Sequence, residues 1–231
     1  MAKNEYELKM WLWLWLPVVF FVFIFGSAII SEYVHETFFA GEMGFIELAT
    51  PIILVPAIIS GFIIFSNREK LVTKQLAYWI LLVTLACIYF AGEEISWGQQ
   101  LAGWGTPEWV KEVNDQHETN LHNTSSWFDQ KPRVLLEIFV LVGGIFLPLK
   151  RKLQGINLPR DSWQYWACPT MVCLPAAILA ITSRMPERIK NLFDMFENIV
   201  DIRTSEVQEL YFAIFLMIYL LSIRKRLELS P

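Results

Sequence analysis

The sequence predicts an all-helical, polytopic membrane fold, and three observations predict it. Apolar residues make up 55% of the 231-residue chain and the mean hydropathy is +0.40, whereas a soluble domain is ~45–50% apolar. The excess falls into six blocks, close to the ~20 residues that carry a helix across a bilayer. The blocks are longer than β-barrel strands, which span in ~10 residues, and they do not alternate in polarity as such strands do.

The first block, 10–30, exceeds the ~7–15 apolar residues of a signal peptide and is not closed by a small-x-small cleavage site, so a retained first helix is expected. Further spans are expected at 46–65, 76–96, 134–149 (the shortest), 166–183 and 207–223. Two long connections, 97–133 and 184–206, separate them. The first holds Trp97, Trp104, Trp109 and Trp127; Thr106-Pro107 has the N-cap and first-turn residues of a short helix. In the second, Ile189, Leu192, Phe193, Phe196 and Val200 recur at helical spacing, predicting an amphipathic helix over 186–200 in the membrane interface. Ser205-Glu206-Val207-Gln208 has capping-box spacing before the last span. The sequence shows no internal repeat, and one integral domain over 1–231 accounts for it.

Charge sets the orientation. With the N-terminus inside, twelve of the nineteen Lys and Arg residues are cytoplasmic, among them Arg68, Lys70, Lys150, Arg151, Lys152, Arg224, Lys225 and Arg226. The positive-inside rule therefore places both termini in the cytoplasm. Eighteen of the twenty-three acids and all three histidines then fall on the outer side. The basic inner face suits anionic lipid, and nucleic acid is not expected as a partner. Cys87, Cys168 and Cys173 lie within spans, and the Cys168–Cys173 spacing matches neither a redox nor a zinc motif.

The acids divide by helix direction. Glu47, Glu137, Glu206 and Glu209 sit in or near first turns of spans that start outside, where the helix dipole favours them by ~0.3–1 kcal/mol. Glu32 and Glu36 close the first span, and Glu93 and Glu94 close the third. The dipole opposes those four, so something else must compensate them: a metal ion, a cationic substrate, buried donors or a bound proton. Positions three and four apart share a helix face, so Glu32, His35 and Glu36 form one expected patch, and Glu93, Ser96, Trp97 and Gln100 another. A second polar cluster runs from Asn114 to Asn123. If it is helical, Glu118 and His122 stand at i and i+4, a workable metal-ligand or acid–base pairing, although not the H-E-x-x-H zinc signature.

The segments Gly92-Glu93-Glu94-Ile95-Ser96-Trp97-Gly98-Gln99 and Asn114-x-Gln116-x-Glu118-x-Asn120-Leu121-His122-Asn123 resemble a family of bacterial polytopic membrane proteins. The resemblance covers mainly 90–123. It implies a bacterial inner-membrane protein whose shared polar residues lie in these two segments, and it brings no activity with it. His117 occupies a spacer position of that pattern. A looser analogy, of chemistry alone, is to alkaline-ceramidase-like membrane hydrolases, whose paired-His helix motif this chain lacks.

Three functions are compatible with this reading. The first is a metal-assisted hydrolase or transferase acting on a lipid or lipid-linked substrate at the outer leaflet, with zinc favoured as the metal. Its expected ligands are His122, Glu118, Glu94 and His35, with Glu93 as general base and Ser96 beside it. Gln99, Asn114, Gln116, Asn120 and Asn123 would hold substrate or orient the ligands. The second is a non-catalytic assembly subunit whose Trp-rich loops bind a partner. The third is a cation- or proton-coupled transporter.

Overall fold

A computed structural model describes residues 7–30, 44–108, 126–193 and 203–229. Every regular element among them is a helix, and six helices are long and apolar enough to cross a membrane: α1 (Trp11–Ile30), α2 (Phe45–Ser66), α3 (Lys74–Glu94), α4 (Gln130–Gln154), α5 (Trp163–Leu192) and α6 (Thr204–Glu228). The chain is a multi-pass membrane protein. Glu7, ahead of α1, accepts a hydrogen bond from Ser222 near the end of α6 at 2.6 Å, so the start of α1 and the end of α6 lie at one end of the bundle, here the terminal end. The 101–104 segment after α3 and the start of α6 mark the opposite, far end.

α6 is the axis of the bundle. It has no polar stripe along its middle, and a helix apolar on all sides must be surrounded. Leu210 to Leu220 are buried without interruption. α2 approaches α3, and α4 approaches α5 and α6, through small residues, because in a lipid environment close backbone approach replaces the hydrophobic drive. A Cβ on Gly61 would lie 2.0 Å from the Thr84 hydroxyl of α3, and one on Gly144 would lie 2.6 Å from the Phe215 ring and 2.7 Å from Ala177. Edge-to-face contacts of Phe139 with Trp79, Phe215 and Tyr219 fill the space between α3, α4 and α6. α1 is peripheral: only Pro17 and Ile24 are buried, and Val22, Phe23, Ile29 and Ile30 face outward.

Two spans differ from the sequence expectation in more than the position of their ends. The fourth is not short; it runs through Gln154, because a π-helical stretch at Phe139–Phe146 carries the chain past its glycine pair without a break. The fifth is broken. Trp163–Ala167 forms one helical turn and a bit, Pro169 interrupts, a 3-10 turn covers Met171–Cys173, and the helix resumes at Leu174–Thr182. It then continues as the amphipathic helix Met185–Leu192, shorter than expected over the part described.

A helix break leaves carbonyls without their intrahelical partner, and each needs another donor. Here those donors are side chains. The Arg226 guanidinium donates to the Tyr165 carbonyl and, at 3.4 Å, to that of Trp166; Tyr219 Oη donates to Ala167 O at 2.7 Å; Arg151 donates to Pro169 O. Trp79 Nε1 in turn donates to Tyr219 Oη at 2.9 Å. Tyr219→Phe deletes one hydroxyl that serves both α3 and α5. It should lower stability by roughly 1–2 kcal/mol, read from thermal unfolding in dodecyl maltoside, whereas Tyr78→Phe on the exposed face of α3 should leave the midpoint unchanged.

Candidate functional site

The candidate site is built where α3 ends. The helix stops at Glu94, and the backbone turns back through three consecutive left-handed residues: Ser96 at φ 47°, Trp97 at φ 56° and Gly98 at φ 93°. Gly98 adopts this freely, but for residues with a Cβ the left-handed region costs ~1–2 kcal/mol each. The turn is closed by the Gly98 amide donating to Ile95 O at 2.8 Å. It aims the Trp97 ring back over α3. A Cβ on Gly92 would meet that ring at 2.8 Å, so glycine is required there for clearance. The indole Nε1 donates to Glu93 Oε1 at 2.7 Å, and Glu93 is buried with 4% exposure.

The expected pairing of Glu93 with Trp97 therefore exists, but not as a helical face. The helix has ended before Ser96, so Ser96 does not share a stripe with Glu93; it is 1% exposed inside the turn. Gln99 begins a four-residue helical turn and donates to Thr106 Oγ1 at 2.6 Å, holding the following loop against it. Glu93 and Glu94 face different surroundings. Glu94 is part-buried, and the charges acting on it are those of Glu209, Glu47, Arg133 and Glu206. These five groups come from four spans: α2, α3, α4 and α6.

Arginines link this cluster. Arg133 of α4 pairs with Glu209 of α6. Arg203 pairs with Glu206 at 2.7 Å and reaches Glu47 at 3.8 Å. Next to it, Arg188 pairs with Glu137, and Glu187 accepts from Arg184 at 3.1 Å and from Thr204 at 2.7 Å. Glu206 Oε2 is buried and has no hydrogen-bond partner among the described residues. The sequence reading assigned Glu47, Glu206 and Glu209 to their helix dipoles alone. The structure joins Glu47 and Glu206 through Arg203 and pairs Glu209 with Arg133, and all three carboxylates act on Glu94, an association signalled in advance only by their shared far-end position.

Among the described residues, no three of His, Cys, Asp and Glu converge closely enough to hold a metal ion. His35, Asn114, Gln116, Glu118, Asn120, His122 and Asn123, together with Glu32 and Glu36, lie outside the described residues. No family model, curated protein or solved structure matches this chain.

A carboxylate placed among like charges opposes folding, and it persists where function retains it. Glu94→Gln should therefore leave the unfolding midpoint in detergent within ~2 °C of the wild type or raise it. Trp97→Phe removes the donor that meets a buried carboxylate and should cost roughly 1–3 kcal/mol. A large loss in Glu94→Gln, with none in Trp97→Phe, would reverse this assignment.

Proposed function

We propose that the Glu94 cluster is an acid–base site facing the outer leaflet, and that the chain is a hydrolase or group transferase acting on a lipid or lipid-linked substrate at that surface. The observation that supports this most is that Arg203 links Glu206 to Glu47 and Arg133 pairs with Glu209, a set of groups whose charges act on the part-buried Glu94. Neighbouring carboxylates with an arginine between them can hold and pass a proton, and ionisable groups at membrane depth are retained at a cost. In this reading Glu93, fixed by Trp97, serves as general base, and Ser96 lies at the same turn. Gln99, Asn114, Gln116, Asn120 and Asn123 bind substrate. A divalent metal, zinc by preference, would be held by His122 and Glu118 with Glu94 and His35, and would supply a polarised water. The charge asymmetry supports cytoplasmic termini and, with them, an extracytoplasmic site in a bacterial inner membrane.

A non-catalytic assembly role is the second reading. The ion pairs Arg133–Glu209 and Arg188–Glu137 favour it, since each ties α4 to a neighbouring helix. A transporter has less support. Between Glu47 and Arg68, between Lys74 and Glu93, and between Glu209 and Arg224 the sequence has no Asp, Glu, Lys, Arg or His, so no charged path continues inward along α2, α3 or α6.

Two measurements on the full chain, extracted without chelator, test this. Elemental analysis should find about one zinc per chain, with occupancy falling at least ~10-fold in His122→Ala. Incubation with a bacterial lipid extract in nanodiscs, followed by lipid mass spectrometry, should show a lipid class consumed by the wild type and spared by Glu94→Gln. Metal-free wild type that still turns over lipid removes the metal and keeps the acid–base site. No lipid consumed by any form leaves the assembly reading in its place.

A further inference from the structure

The terminal end of the bundle holds a cavity of about 840 Å³ that the far-end site does not use. It is walled by the broken start of α5, the last turns of α4 and α6, and the chain just ahead of α1. Five basic side chains line it (Arg151, Lys152, Arg160, Lys225 and Arg226) with one acidic side chain, Glu7. From this we infer a binding site for a phosphate-bearing ligand, either the headgroup of an anionic phospholipid or a free phosphate compound.

The charge here is not only plentiful but largely uncancelled. Arg151 spends its bonds on the carbonyls of Leu147 and Pro169. A carbonyl satisfies a donor without neutralising it, so the positive charge remains and the guanidinium keeps further N–H groups to offer, out of five. Lys152 and Arg160 have no acidic partner among the described residues, and both are exposed. Glu7 accepts from Thr170 and Ser222, which ties it to the wall. Lys225 is paired with Glu228 at 3.2 Å. Arg151 therefore forms a fixed anchor, and Lys152 and Arg160 are two long, exposed cations in the lining. Guanidinium and ammonium groups around a concave site suit phosphate oxygens, and basic pockets between membrane helices take anionic headgroups.

The remaining lining favours a lipid source. Pro148, Ile156, Leu158, Met171 and Leu229 form the apolar part of the lining, and Leu229 is exposed. A headgroup could sit among the cations with its acyl chains leaving along this apolar rim.

The test uses the full chain in dodecyl maltoside and follows thermal unfolding. One arm titrates phosphatidylglycerol against phosphatidylcholine; the other titrates sodium phosphate against sodium chloride at equal ionic strength. Lys152→Ala/Arg160→Ala is compared with Arg68→Ala/Lys70→Ala, an exposed basic pair on another loop of the same end. The expected result is saturable stabilisation by phosphatidylglycerol, with its midpoint weakened at least tenfold in the first double variant and unchanged in the second. Saturable stabilisation by phosphate alone, with the same dependence on the variants, assigns the site to a soluble phosphate compound. Equal weakening in both double variants would show only a diffuse surface charge, and no saturable effect in either arm would show no site; either result overturns the proposal.

Discussion

Hydrocarbon offers no hydrogen bonds, and this fold is organised by that constraint. Along the spans, helical backbone meets it and close packing through Gly61 and Gly144 follows. Where the backbone leaves the helix, side chains must replace water. At the break in α5, Arg226, Arg151 and Tyr219 satisfy the carbonyls of Tyr165, Trp166, Ala167 and Pro169. At the end of α3, the left-handed turn at Ser96–Gly98 folds Trp97 back to satisfy Glu93. The same requirement thus produces a clamp at one end of the bundle and a candidate site at the other. Arginine serves at both ends because one guanidinium can reach several acceptors at once.

The two ends use that residue to opposite electrostatic effect. At the far end Arg133 and Arg203 face carboxylates, and acids outnumber them around Glu94. At the terminal end Arg151 donates to the carbonyls of Leu147 and Pro169, which satisfy it without neutralising its charge. A bundle whose middle holds almost no ionisable groups thereby carries a negative cluster on one surface and a positive cavity on the other. The first suits proton handling near a lipid surface; the second suits a phosphate. Neither requires the other, and each can fail alone.

Much of the fold was legible from the chain. Six apolar blocks translate directly into six spans because hydropathy and length are local properties. The expectation failed where the outcome depended on tertiary donors. Pro169 signals a break, but whether α5 tolerates it depends on Arg226 and Tyr219, far along the chain in α6. The end of α3 was misplaced by two residues, since Ser96 and Trp97 have no intrinsic preference for a left-handed turn. The suspicion attached to Glu93 and Glu94 came from helix direction, a local argument, and it led to the region where the carboxylates gather. Their partners were missed for the converse reason: Glu47, Glu206 and Glu209 each had an adequate local explanation, and only packing reveals that they share one space. The imidazoles and amides of the 114–123 cluster lie outside the described residues.

The central claim is that Glu94 and Arg133, on different spans, belong to one electrostatic unit. A double-mutant cycle measures this most directly, using Glu94→Gln, Arg133→Gln and the double variant, with unfolding in detergent as the readout. Losing Arg133 should cost more when Glu94 is present than when Gln replaces it, with a coupling of about 1 kcal/mol or more. Effects that add to within ~0.3–0.5 kcal/mol would mean that the two side chains do not sense each other, and the clustered site would not exist.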